Sequence, residues 1–247
     1  MNRVFNMTKH FLRVQSAYKT TFLLTLFIPV GTILFSMSEH LFTKIDIQDY
    51  MPMLILWVSF IILSYCVSNI QQCLLIRDQS FLKMFTLLSG NHLIVILGEL
   101  FCQYLLMIFS GLILSLLSTI LFGVSLLQVG IFTFLFCTIS YWIVAPLFLI
   151  FLRISIQFEQ FQPISYAMIF IIILTMNSYN FNSQTNFIMQ IINPMVFVLE
   201  IGKLVSNFLL NIQFSVSIYP LIGISILYFA ISYWSLTKTK IIPEYRS

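Results

Sequence analysis

Hydrophobic residues in this chain come in long blocks, and the polar residues are gathered into the short intervals between them. Set against the ~30 Å apolar core of a bilayer, these blocks predict membrane spans. Six are expected, at 20–38, 51–70, 92–122, 127–152, 163–177 and 214–236. The first carries Pro29-Val30-Gly31 near its middle, where a kink is expected. The third is about 45 Å long at 1.5 Å per residue and should tilt or protrude. The fold class that follows is an all-α integral membrane protein, with residues 1–247 forming a single transmembrane domain.

Three intervals have a pattern of their own. In residues 1–19, Val4, Met7, Phe11, Val14 and Tyr18 share one helical face and Asn6, Lys9, Arg13 and Ser16 the other, with Phe5 and Leu12 blurring the boundary. This predicts a basic interfacial helix. Between the second and third spans, Asp78 or Ser80 can cap a helix. Phe81, Met84, Phe85 and Leu88 recur at helical spacing with Lys83 among them, and Gly90-Asn91 supplies a stop. The short helix predicted over 78–89 lies along the membrane surface. Its aromatic knobs suit either docking to a soluble partner or anchoring two spans in register. The third interval follows an Asn-rich patch (Asn180, Asn182, Asn186); it runs over 186–208, is broken at Asn193-Pro194 and contains Glu200 and Lys203. Two half-length helices that enter and leave by one face fit it better than a crossing.

Composition agrees with the block pattern. The 247 residues are 60% hydrophobic and 8% charged, and the mean hydropathy is +0.99, against roughly a quarter charged in soluble domains. The net charge of +4 therefore indicates no nucleic-acid partner; the placement of the cations matters more. Of twelve Lys and Arg, ten (Arg3, Lys9, Arg13, Lys19, Arg77, Lys83, Arg153, Lys238, Lys240 and Arg246) fall on the side of the termini. Lys44 and Lys203 fall opposite, so both termini are expected in the cytoplasm. A seventh crossing through 186–208 would put the C-terminal basic cluster outside. The four cysteines, Cys66, Cys73, Cys102 and Cys137, sit in apolar stretches without metal-type spacing and are expected as reduced core residues. The N-terminal segment lacks a signal-peptide pattern and is expected to be retained.

No phosphate-binding loop, H-E-x-x-H pair, G-x-S-x-G elbow or Asp-rich helix is present. No catalytic residue is assigned, and the scattered His10, His40 and His92 give no metal site. Glu99 is the one acid well inside a predicted span, about 10 Å beyond His92 by helical rise. It suits binding of a coupling proton. The alternative is a headgroup-level position with a basic partner such as Arg153.

The order of these parts resembles the permease subunit of ABC-2 type transporters over essentially the whole chain: a basic interfacial helix, the segment Arg77 to Glu99, six spans, and a broken re-entrant segment at Ile192-Asn193-Pro194-Met195 before the last span. In that family the segment after the second span is the coupling helix that seats on a separate ATPase. The resemblance carries that role onto Asp78, Phe81, Lys83, Met84, Phe85 and Leu88. It implies no cofactor in this chain, with ATP and magnesium in the partner ATPase, and a second permease subunit, either a copy or a homologue. It also implies a bacterial plasma membrane. Similarity to small bacterial members points to an amphipathic peptide or toxin, or a lipid-like molecule, as cargo. A pathway lined by Tyr65, Tyr104, Tyr141 and Tyr166, with Glu99, would suit such a substrate, since phenol rings serve apolar and polar surface together. The chain departs from many relatives in having Asp78-Gln79-Ser80 where they carry Glu and Gly, and its outward loops are too short for an extracellular domain. Two other classes are an ion-coupled transporter using Glu99 and a non-transporting immunity or scaffold protein.

Overall fold

The computed structural model describes residues 2–15, 19–79, 81–154, 156–178 and 187–237. Helices form all of its regular structure, with no strand among the described residues. In chain order they are α1 (Asn2–Gln15), α2 (Lys19–Ser36), α3 (Ile47–Asp78), α4 (Phe81–Ser89), α5 (His92–Phe122), α6 (Leu126–Phe148), α7 (Ile150–Arg153), α8 (Phe158–Ser178), α9 (Phe187–Ile192), α10 (Pro194–Leu210) and α11 (Ile218–Thr237). Four stretches are long and apolar enough to cross a membrane: Ile47–Asp78, His92–Phe122, Leu126–Arg153 and Ile218–Ser235. The chain is an all-helical protein of membrane character.

Local chemistry sets the helix ends. Asp46 caps α3 by accepting from the Gln48 N–H, and Asn91 caps α5 by accepting from the Leu93 N–H at 2.9 Å. Gly123, at φ +64°, ends α5 in the left-handed conformation open to glycine. The loop before α3 then binds the orphan carbonyls of that end: the Phe42 and Ile45 N–H groups donate to the carbonyls of Leu121 and Phe122 at 2.7 and 3.1 Å. Asn193 caps α10, with Pro194 at its first position where no N–H is needed.

α3 is the centre of the bundle. It buries 78% of its most apolar window, against 39% for α5, because α5, α6, α8 and α10 all pack on it and only a helix apolar on every side tolerates that. Apolar burial adds little attraction between helices in lipid, so close packing and polar links carry the specificity. The links are hydroxyls: Tyr50 to Ser118, Tyr65 to Ser110 and Tyr104 to Thr138. Close approach is seen at Gly111, where a Cβ would lie 2.8 Å from Thr133 Cγ2.

The elements differ from the sequence expectation at several points. The second predicted span is one part of a 32-residue helix that continues to Asp78, so Asp78 ends α3 and does not belong to the short helix after it. α8 starts at Phe158, with Pro163 inside it. α1 packs along α5 and buries Thr8 and Phe11 there, so its apolar face is turned to protein. The Asn-rich patch at 180–186, Tyr18, Ser80 and the terminal cations Lys238, Lys240 and Arg246 lie outside the described residues.

Candidate functional site

At the end of the bundle where α3 stops and α5 starts, α4 lies across the junction. Its root is Arg77-Asp78. The Arg77 guanidinium is buried and donates through Nη1 to the carbonyls of Leu152 and Ile154 at 3.1 and 3.4 Å, and through Nη2 to that of Ile156. Its Nε donates to Asp78 Oδ1 at 3.0 Å, while Asp78 Oδ2 accepts from the Phe158 N–H at 2.5 Å. One dipeptide thus places a cation on the carbonyls at and just after the end of α7 and an anion on the first N–H of α8, the signs the two helix ends favour.

From that root α4 turns Leu82 inward. Leu82 helps line a cavity with Cys73, Ile76, Arg77, Val95, Ile96, Glu99 and Leu152; it has room for about one water molecule. Phe85 packs edge-on to Phe11 and His10 of α1, with centroids 5.7 and 5.6 Å apart. Arg3 donates to the Ser89 carbonyl at 3.0 Å. The other face is open: Phe81 and Met84 are nearly half exposed, Leu87 and Leu88 at least three-quarters, and Lys83 is exposed beside them.

Of the residues assigned to coupling from the sequence, Phe81, Lys83, Met84 and Leu88 therefore lie on the open face. Asp78 and Phe85 do not; the first holds Arg77 and α8, the second holds α1. Leu87 joins the open face, as its i+3 spacing from Met84 could have indicated.

Glu99 is buried. Its Oε1 accepts from Gln15 Nε2 at 2.5 Å and Gln103 Nε2 at 2.8 Å, Oε2 is buried without a hydrogen-bond partner, and the residue is one of those lining the small cavity. It does not pair with Arg153, whose guanidinium stacks on Trp234 with 3.3 Å to the ring centroid. Gln15 closes the end of α1 onto this group, also accepting from Gln103 Nε2 at 3.1 Å.

The four tyrosines are not brought to one surface. Tyr65 and Tyr141 are in the core, with their hydroxyls on Ser110 and on the Leu100 carbonyl. Tyr104 is half-buried against Tyr141 and Trp142, and Tyr166 is exposed on α8. Asn193 and Pro194 form the break between α9 and α10, beside which Tyr228 donates to the Ile191 carbonyl at 3.3 Å. Beyond the break the two charges of that interval pair with each other: Lys203 Nζ donates to Glu200 Oε1 at 3.1 Å, both side chains being buried. Lys203 is therefore an interior cation and not a marker of the outer face. No family model, curated protein or solved structure matches the chain.

Proposed function

We propose that this chain is the membrane-spanning permease subunit of an ATP-binding-cassette exporter of the ABC-2 type, working with a separate ATPase and a second permease subunit. ATP hydrolysis, with its magnesium, belongs to the ATPase. The observation that carries the reading is α4: a short helix with one open apolar face, rooted through Arg77-Asp78 in two other helices. A partner that pushed on Phe81, Met84, Leu87 and Leu88 would move α7 and α8 with it.

Connectivity supports six crossings. α1 packs at the α4 end through Ser89 and Gly98, whereas the loop before α3 is bonded to the far end of α5. In this reading the chain traverses along α2. α6 and α7 return to the α4 end at Leu152, and α11 finishes there, where Ser235 donates to the Leu149 carbonyl at 2.8 Å, so α11 starts at the far end. The traverse between them is α8. In this reading α9 and α10 form the re-entrant pair, both termini are cytoplasmic in a bacterial plasma membrane, and the cargo is an amphipathic peptide or lipid-like molecule.

The test is purification of the tagged chain from its native membrane in mild detergent, with mass spectrometry of what accompanies it. A stoichiometric soluble ATPase should be recovered, and lost in a Phe81→Asp, Leu88→Asp double variant that elutes like the parent. Absence of an ATPase, or its undiminished retention by the variant, overturns the proposal. One observation favours a second reading, ion-coupled transport: Glu99 lines the small cavity, and its Oε2 is buried without a hydrogen-bond partner. That reading requires transport driven by a proton or sodium gradient without ATP and abolished by Glu99→Gln.

A further inference from the structure

Two arginines meet at the connection after α6, and only one of them is satisfied by the protein. Arg77 takes the carbonyls of Leu152, Ile154 and Ile156, and Ser235 takes that of Leu149. Both oxygens of Asp78 are occupied, by Arg77 and by the Phe158 N–H. Arg153, next to Leu152 in the chain, takes none of these acceptors, and its Nη1 is buried without a hydrogen-bond partner. The guanidinium is held in place by its stack on Trp234. A fixed guanidinium with an unused donor is a half-made anion site, because its charge is already held in one orientation.

Its position says which anion. Arg153 is the last residue of one membrane-length stretch, and Trp234 is the penultimate residue of another. Trp234 is half exposed and its neighbour Tyr233 is 74% exposed, so the stack opens at the rim of the bundle, where aromatic side chains meet headgroups. Lys238 and Lys240 follow in the sequence. We propose that Arg153 and Trp234 form a binding site for the phosphate of an anionic phospholipid in the leaflet at the α4 end. The phosphate oxygens accept from the guanidinium fork, the indole face holds the fork flat, and the acyl chains lie along the apolar outer surface of α11, where Ile222, Ile226 and Phe229 are exposed. The site does not depend on what the chain transports.

The experiment uses the whole chain, delipidated in a non-ionic detergent and titrated with short-chain phosphatidylglycerol, with bound lipid counted by native mass spectrometry. One lipid per chain should be held more tightly than the rest. Arg153→Gln should weaken that binding roughly tenfold, since it removes the charge-assisted hydrogen bonds to the phosphate. Trp234→Leu, which removes the stack and no charge, should weaken it several-fold. Lys83→Gln, at an exposed cation on α4, should leave it unchanged. The proposal is overturned if either site variant, eluting as the parent does, binds as the parent does. It is overturned equally if inorganic phosphate displaces the lipid as effectively as phosphatidylglycerol itself, since the site would then take free anions.

Discussion

Single residues decide how closely the helices approach, and glycine shows this best. A Cβ on Gly98 would lie 2.8 Å from Met7 Cβ, and one on Gly202 2.6 Å from Ile55 Cγ2, whereas Gly31, Gly130 and Gly223 would meet nothing within 4 Å. Gly98→Leu should therefore lift α1 off α5, with the overpacking cost of about 1–3 kcal/mol. Amide hydrogen exchange over residues 2–15 should accelerate by one to two powers of ten, while α3 keeps its protection; Gly223→Ala should change neither. The sequence does not say which helix meets Gly98 or Gly202, since the neighbours, Met7 and Ile55, come from segments distant along the chain. The same holds for Arg77-Asp78. Asp78 has the composition of a cap, and it does cap a helix, but one that begins eighty positions later at Phe158.

At the scale of elements, the long apolar helices were legible because a block of that length has few alternatives. Their ends were less so. The fifth span was expected from about Pro163, yet Asp78 caps α8 at Phe158 and lets it begin more than a turn earlier. The open face of α4 was partly readable from its spacing, but its buried side required knowing that α1 would fold back over it. The capping pair is the joint on which α4, α7 and α8 depend together. Arg77→Met should leave the carbonyls of Leu152, Ile154 and Ile156 without donors and Asp78 without its cation, at a cost of about 3 kcal/mol. Cys73 lines the cavity beside Arg77, and Cys137 is buried in the main core. The variant should label faster at Cys73 by roughly a hundredfold under native conditions, with Cys137 still protected; equal acceleration at both would mean global unfolding and no local joint.

For the whole molecule, the connectivity of the fold sorts the described cations between its two ends. The sequence placed two cations opposite the rest. With Lys203 bound to Glu200 in the interior, Lys44 is the one described cation left at the far end, against Arg3, Lys9, Arg13, Arg77, Lys83 and Arg153 at the α4 end. Lysine and arginine are retained on the cytoplasmic side, so the α4 end should face the cytoplasm, where a soluble ATPase could reach it. Single cysteines at Lys44 and Lys83 in a cysteine-free background test this, because both positions are exposed. On intact cells a membrane-impermeant maleimide should label Lys44→Cys and leave Lys83→Cys untouched until the membrane is opened. The reverse pattern would turn the molecule over and remove α4 from any cytoplasmic partner. Labelling of both on intact cells would place the two ends on the same side and break the traverse through α2 and α8 on which six crossings rest.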